Sequence, residues 1–505
     1  MFILHPGQLT LAQLQQLYYQ AQPIKLPQQA YQAVQRAHKS VQNVIKQQRT
    51  VYGINTGFGL LAKVKIAKED ICQLQYNLIV SHATGVGAPL ADAVTRFIML
   101  LKINALAQGY SGVSKRLLDT LVTLYNADIL PVIPAQGSVG ASGDLAPLAH
   151  MSLLLLGIGQ ARYQGKTISA RRALRIAQLQ PVQLAPKEGL ALLNGTQVST
   201  ALALAGLWAS ENILNTAILA GSMSLDAAQG SVAPFHSQIH QLRGQAGQMR
   251  VAEAYRLLLA DSQILAAHKE CDRVQDPYSL RCQPQILGAC LDQLNHAAGI
   301  LSIEANAVTD NPLVVDNYQQ LISGGNFHAE PVAFAADNLA IALAEITNLA
   351  ERRIALLMDP HLSGLPAFLA QGSGLHSGLM NAHVTAAALA SENKSLAHPA
   401  SVDTIPTSAN QEDHVSMATY AARRLSMMAE NTAHVLAIEL LAANRGIALH
   451  QPLKTATRLL PVLAWIQRHS QAKQTGDYYM APDIVKIAQN IMQGQLNAFM
   501  PIKFI

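Results

Sequence analysis

The sequence predicts a mainly α protein, a bundle of long helices with minor short β hairpins. Three observations carry that prediction. Apolar residues recur at helical spacing through most of the chain. Aromatic residues make up 5% and charged residues 13%, against 50% hydrophobic, with alanine and leucine abundant; small side chains let long helices approach closely. Several long apolar stretches also lack a polar face, so they bury surface on all sides and point to an oligomer.

Taken in order, Leu9–Tyr19 and Gln28–Gln48 read as amphipathic helices and Val51–Leu61 as a glycine-rich loop. Lys68–His82, Leu90–Gln108 and Lys115–Asn126 read as further helices. Pro131 and Pro134 break the pattern. A helix follows over Leu145–Leu156, with Asp144 placed to cap it. Ala161–Ile168, around Gln164-Gly165, reads as a short β piece. Helices are expected near 196–229, 284–307, 330–357, 375–391 and 411–445, with a small hairpin at Leu313–Asp316 and Gln320–Ser323. Shorter helices return near 456–470 and 482–495. Helices lengthen beyond Gly195 and shorten after His450. This places an N-terminal helical domain at 1–194, a central long-helix bundle and oligomerisation core at 195–450, and a C-terminal helical segment at 451–505.

Composition and charge exclude several classes. A net charge of +5 over 505 residues is mild, and the pairs Arg171-Arg172, Arg352-Arg353 and Arg423-Arg424 are isolated. They read as solvated helix faces, not a nucleic-acid stripe. The four cysteines (Cys72, Cys271, Cys282, Cys290) show no CxxC and no zinc spacing, so reduced thiols are expected. Residues 1–20 lack a basic segment followed by an apolar one, so the expected compartment is the cytoplasm. The apolar run Val198–Leu225 contains Glu211, Asn212 and Asn215 and reads as a buried helix, not a membrane span. His-Glu-x-x-His and the P-loop are absent, so no metal, nucleotide or pyridoxal phosphate is expected.

The chemistry centres on Gly137-Ser-Val-Gly-Ala-Ser-Gly-Asp-Leu-Ala-Pro-Leu-Ala-His150, a flexible stretch feeding an apolar helix. Glycine reaches backbone angles other residues do not. A sharp bend at Ala141-Ser142-Gly143 can press the Gly143 nitrogen against the Ala141 carbonyl carbon and close a five-membered ring. Loss of water, and of the Ser142 hydroxyl, then leaves an exposed electrophilic alkene. A plain flexible loop fits the same tripeptide.

This stretch resembles the signature of the aromatic amino acid ammonia-lyases, in register over its whole length, and the resemblance extends over essentially the whole chain. It implies an aspartase/fumarase-like helical fold and a homotetramer with shared active sites. It also implies the electrophile MIO (4-methylidene-imidazol-5-one), formed autocatalytically from Ala141-Ser142-Gly143 and set at helix N-termini.

Further segments match functional segments of the same family. Tyr52-Gly-Ile-Asn-Thr-Gly-Phe-Gly59 puts a phenol at the head of a glycine-rich loop. A packed tyrosine on a lid fits it; the resemblance implies a catalytic Tyr52 that takes the substrate β-proton. With an ordinary pKa of about 10, that phenol needs neighbouring cations or helix N-termini to act as a base. His82, in Ser81-His82-Ala-Thr-Gly-Val-Gly87, reads as a helix C-terminal dipole partner or, by resemblance, as a group facing the substrate ring. Asn194 reads as an N-cap of the first long helix or, by resemblance, as the donor to the electrophile's oxygen.

Gln275-Asp-Pro-Tyr278-Ser-Leu-Arg281 reads as a helix start capped by Asp276, with Pro277 first and Tyr278 and Arg281 on one face. Arg281 suits a two-pronged grip on a carboxylate, although a surface arginine fits the spacing too. The resemblance gives it the substrate carboxylate, with Gln275 and Tyr278 lining the site. Phe327, in Gly324-Gly-Asn-Phe327-His328, reads as core or, by resemblance, as a flank of the electrophile. Glu412, in Gln411-Glu412-Asp-His, reads as a first-turn carboxylate or, by resemblance, as the partner of the substrate side chain. The pair His82 and Glu412 can hydrogen-bond an imidazole. The resemblance therefore implies L-histidine as substrate and trans-urocanate with ammonia as products. Tyr52, Tyr278 and Glu412 all stay open as the proton acceptor.

Rival readings remain distinguishable. A serine hydrolase needs Gly-x-Ser-x-Gly after a strand, and Gly143 follows Ser142 directly. A lyase or aminomutase for tyrosine or phenylalanine differs in the residues near the substrate ring. A catalytically dead helical scaffold would not need Tyr52, Ser142, Asn194 and Arg281 together.

Overall fold

The computed structural model describes residues 1–47, 49–57, 63–268, 274–372, 374–471 and 476–504. Part of the Val51–Leu61 loop, including Gly59, and Cys271 lie outside them. Helices dominate, as the spacing predicts, and cluster into two compact units. The first contains Met1–Ala205, Ala298–Asp337 and Pro399–Arg423; the second contains Gly206–Ala297, Asn338–His398 and Arg424–Ile505.

In the first unit, Gln28–Lys46 buries Ala30, Val34, Ala37, Val41 and Val44, one stripe of a helix. Ala37, Val41 and Val44 meet Ile54 and Val314 in one apolar cluster. Thr10 and Gln13 cap Leu11–Tyr19 reciprocally, and Ser114 caps Lys115–Asn126. The Asp92–Leu106 helix is buried nearly throughout, including Lys102 and Asn104. The strands are short. Phe2–Ile3 pairs parallel with Ile24–Lys25. Val86–Pro89 and Pro134–Gln136 pair antiparallel, and Gln160–Tyr163 with Lys166–Ser169 makes a hairpin where a short β piece is expected around Gln164-Gly165. Leu313–Val315 and Gln320–Ile322 make the expected small hairpin.

The second unit is built on long helices whose small residues permit close approach. A Cβ on Gly206 would lie 2.5 Å from Leu425 Cδ1. Its core holds a fully buried ion pair. Arg353 Nε and Nη2 donate to Glu439 Oε1 and Oε2 at 2.5 and 2.8 Å, and Arg353 Nη1 donates to Gln283 Oε1 at 3.1 Å. Ser224 and Tyr255 hydroxyls complete the network on Glu439 and Gln283. Burial disfavours the Arg353 cation, but the Glu439 carboxylate more than restores it and raises its pKa.

Two helices, Gln197–Ala227 and Glu330–Met358, are long and apolar enough to cross a membrane by length and composition. Their most apolar windows are 89% and 72% buried, the state expected of packed core helices. Cys72, Cys282 and Cys290 are free thiols.

Four local expectations are corrected. Asp144 makes no side-chain cap on the Leu145–Leu153 helix that follows it; its carboxylate faces the start of a different helix, Gln197–Ala227. Asn194 does not N-cap that long helix; it ends the short Glu188–Leu193 helix. Asp276 does not cap Tyr278–Arg281; Pro277 holds that position, and the Asp276 carboxylate accepts from Ser231 N at 2.6 Å. The 411–445 helix starts late, at Ala418. Glu412 lies before it, in an antiparallel bridge with Thr407. In each case tertiary polar contacts outcompete the local pattern.

Replacing Glu439 by Leu strands the Arg353 charge in the core. The expected loss is about 3–5 kcal/mol, read as a fall in the denaturant midpoint. The double variant Arg353→Met/Glu439→Leu is expected to recover most of it.

Candidate active site

The Gly137–His150 stretch bends as its glycines predict. Gly143 has φ +75°, and a Cβ there would lie 2.3 Å from the Gly195 carbonyl oxygen. That contact excludes any side chain. Gly143 and Gly195 form a parallel bridge, and Asp144 N donates to Gly195 O at 2.8 Å. The loop is thus zipped, backbone to backbone, onto the segment before the Gln197–Ala227 helix.

Asp144 is the anchor. Its Oδ2 accepts from Val198 N, Ser199 N and Ser199 Oγ at 3.0, 2.8 and 2.9 Å. Its Oδ1 accepts from Ser138 Oγ and Thr419 Oγ1 at 3.1 and 2.5 Å. Burial raises its pKa, against the pull of these donors. The carboxylate caps the helix start and ties three distant segments to one point.

Ser142 is held at both ends. Asn194 Nδ2 donates to the Ser142 carbonyl oxygen at 2.6 Å, and the Ser142 hydroxyl donates to Glu412 Oε1. Thr407 and Ser408 hydroxyls donate to Glu412 Oε2 at 2.8 and 2.7 Å. Burial pushes the Glu412 carboxyl up, but hydrogen bonds from Ser142, Ser408 and Thr407 and the nearby His82 outweigh it and leave its pKa below the usual value. Glu412 is therefore a carboxylate, not a carboxylic acid, at neutral pH.

These groups line a cavity of about 870 Å³ within the first unit. Tyr52, His82, Ala141, Ser142, Asn194, Phe327 and Glu412 all reach it. Within the Ile71–His82 helix, His82 Nδ1 lies 2.8 Å from Leu78 O. A proton on Nδ1, donated to that carbonyl, leaves Nε2 as the acceptor in the neutral ring.

The sequence-expected set does not all converge here. Gln275, Tyr278 and Arg281 belong to the second unit and do not line this cavity. Gln275 is exposed, Tyr278 is 68% exposed, and the Arg281 guanidinium lies 4.8 Å from the centre of the Tyr278 ring. Conversely, the lining includes polar groups the sequence reading left unassigned: Asn77, Asn311, His328 and His414. His328 and His414 sit inside segments already singled out, and two histidines beside a glycine turn and an acidic pair were the available signal. With Glu330 they form the one group among the described residues that could hold a metal ion, their ligand atoms lying within 4.8 Å of one another.

The arrangement offers a sharply bent serine loop, an amide donor on its carbonyl, an ionised carboxylate and a histidine around one cavity. The family model for aromatic amino acid lyases matches residues 9–468. The histidine ammonia-lyase of Burkholderia mallei is 56% identical over 504 residues, covering 100% of this chain and 99% of that one. The crystal structure of histidine ammonia-lyase from Trypanosoma cruzi is 38% identical with a TM-score of 0.91, covering 99% and 96% of the two chains. Tyrosine aminomutase from Streptomyces globisporus is 31% identical with a TM-score of 0.93, covering 99% of each. With the family model matched over residues 9–468 and a relative 56% identical over the whole chain, the chain belongs to the aromatic amino acid lyase family.

Proposed function

We propose that this chain eliminates ammonia from L-histidine to give trans-urocanate, a carbon–nitrogen lyase reaction without net oxidation. One observation carries the reading: Ser142 is held between Asn194 and the ionised Glu412, in the cavity that His82 also lines. Full-length relatives named histidine ammonia-lyase support the substrate.

The residues fit the MIO group. The bend at Gly143 admits no side chain, and Asn194 already donates to the Ser142 carbonyl oxygen, which the ring retains. When formed, the group supplies an electrophile that takes up the substrate amine and eases its departure. Around it, Asn194 holds the oxygen where negative charge develops, assisted by the N-terminus of the Gln197–Ala227 helix beyond Asp144. Glu412 accepts an imidazole N–H and His82 faces the same ring. Phe327 closes the apolar side. Tyr52 stands at the cavity as proton acceptor; Tyr278 and Glu412 remain assigned to the catalytic set.

Arg281 grips the substrate carboxylate, with Gln275 and Tyr278 beside it. They are assigned to the site through assembly into a homotetramer with shared active sites, a reading the exposure of Tyr278 supports. The reaction needs no nucleotide, pyridoxal phosphate or obligatory metal, and a cytoplasmic enzyme fits the free thiols.

Offering histidine, phenylalanine and tyrosine and following the conjugated acrylate tests the substrate; fast turnover of tyrosine, or a β-amino acid product, would sink the proposal. An intact mass short by two waters checks the ring. Ser142→Ala is expected to keep the fold and the full uncyclised mass while losing activity by orders of magnitude. Glu412→Gln is expected to lower kcat on histidine at least roughly 10- to 100-fold, the worth of a charge-assisted hydrogen bond. Ring formation removes the Ser142 hydroxyl from Glu412, but the Thr407 and Ser408 hydroxyls and the nearby His82 still favour its charge, which is expected to persist at neutral pH. The acid limb of kcat/KM near neutrality therefore belongs to other groups, and its position is expected to be the same in Glu412→Gln.

A further inference from the structure

Lys102 lies in the middle of the Asp92–Leu106 helix with 1% of its surface exposed. Burying an ammonium is costly unless a charge partner compensates. Here no carboxylate hydrogen-bonds to it among the described residues. Its Nζ donates instead to two backbone carbonyls, Asn194 O at 2.8 Å and Ala191 O at 3.3 Å. The charged groups around it are Asp310, Asp144 and Lys187. Asp310 is already engaged by Lys187 at 2.7 Å and by the Ser111 hydroxyl. Asp144 is saturated by the donors of the loop and the long helix. Burial, partly offset by the two aspartates, lowers the Lys102 pKa to about 7. A core lysine held at such a cost, and bonded to nothing but main chain, stabilises something other than an ion pair.

What it touches is the back of the site. The Asn194 carbonyl belongs to the peptide that leads into Gly195, whose φ is +124°. On the other side of that segment, Gly195 O accepts from Asp144 N, Gly195 bridges Gly143, and the Asn194 side chain holds the Ser142 carbonyl. Asn194–Gly195 is thus a strip with Lys102 behind it and the Ala141–Asp144 loop in front.

We infer that Lys102 is a positioning residue: by gripping the Asn194 carbonyl it fixes the strip against which the Ala141-Ser142-Gly143 loop is bent, and so sets both the ease of ring closure and the aim of Asn194. This rests on the functional reading above. In ring closure the Gly143 nitrogen bonds to the Ala141 carbonyl carbon and one water leaves. Ser142 then loses its α-hydrogen and its hydroxyl as a second water. Lys102 takes no part in either bond change. It removes the freedom of the strip that both the bent loop and the amide donor depend on.

The test compares the parent with Lys102→Met and Lys102→Arg, following melting temperature, the fraction of chains short by two waters against time after folding, and kcat and KM on histidine per cyclised chain. In Lys102→Met, ring closure is expected to slow on the order of 10-fold, the worth of one buried hydrogen bond. Its kcat is expected to fall by a similar factor with KM little changed. Lys102→Arg, which keeps an N–H donor for the same carbonyl, is expected to retain most of both. Lys102→Met chains that cyclise and turn over like the parent overturn the inference, whatever their melting temperature. So does a defect that Lys102→Arg repeats in full. If the parent itself fails to deaminate histidine, the functional reading falls, and the two-water loss still reports on Lys102 independently.

Discussion

The buried carboxylate of Asp144 is the constraint on which the site depends. It draws donors from the loop itself, from the start of the Gln197–Ala227 helix and from Thr419. An acid in apolar surroundings is stable only if its hydrogen-bonding capacity is filled, so these segments have little freedom to part without exposing it. That requirement converts a flexible glycine-rich stretch into a fixed bend. The Gly143 contact with Gly195 follows from it, and so does the placing of Ser142 between Asn194 and Glu412. The fixed bend comes from geometry imposed by polar burial, not from any unusual residue.

The same logic recurs across the molecule. Lys187 with Asp310, and Arg353 with Glu439, are buried pairs with extra hydrogen bonds filling their remaining capacity. Such pairs add little net stability over an apolar core, but leaving one partner unmatched is expensive, so they reject alternative packings. Long helices lined with alanine and leucine are otherwise free to slide past one another, because their surfaces are nearly uniform. Polar locks at particular positions give such a bundle one register. A site assembled from residues as far apart as Tyr52 and Glu412 needs that register to be unique.

The helical architecture was legible because it depends on pattern. Lys115–Asn126 matches the expected span, and the Leu313–Val315 and Gln320–Ile322 strands fall inside the expected hairpin. The site was legible as a set of residues only through resemblance; spacing alone favoured a cap, a dipole partner and a core phenylalanine. What pattern missed was partner choice. Asp144 precedes a helix and satisfies the local rule for a cap, yet it serves another helix more than fifty residues along. Asn194 and Glu412 were displaced from helix starts in the same way, each drawn to Ser142. Lys102 gave no signal, since a lysine inside an apolar helix reads as a break in the stripe. Side-chain hydrogen bonding over long sequence separations is decided after the chain has packed, and no local rule anticipates it.

In the proposed reaction, selectivity for histidine rests on the charge state of Glu412 more than on its shape. Burial raises the carboxyl's pKa; in the uncyclised chain the Ser142, Ser408 and Thr407 hydroxyls and the nearby His82 outweigh it, and all but the Ser142 hydroxyl survive ring formation. A carboxylate held in a largely apolar cavity seeks a donor from whatever ring enters. An imidazole supplies an N–H and leaves the carboxylate matched. A phenyl ring of similar size fills the same volume but offers that carboxylate no donor, a penalty that shape complementarity does not offset. Discrimination then arises mainly by rejection. It also explains why a fold shared with an enzyme acting on tyrosine need not share its substrate: exchanging the group at one position changes which ring goes unpaired, while the loop, the strip behind it and the helix start that serve the reaction stay as they are.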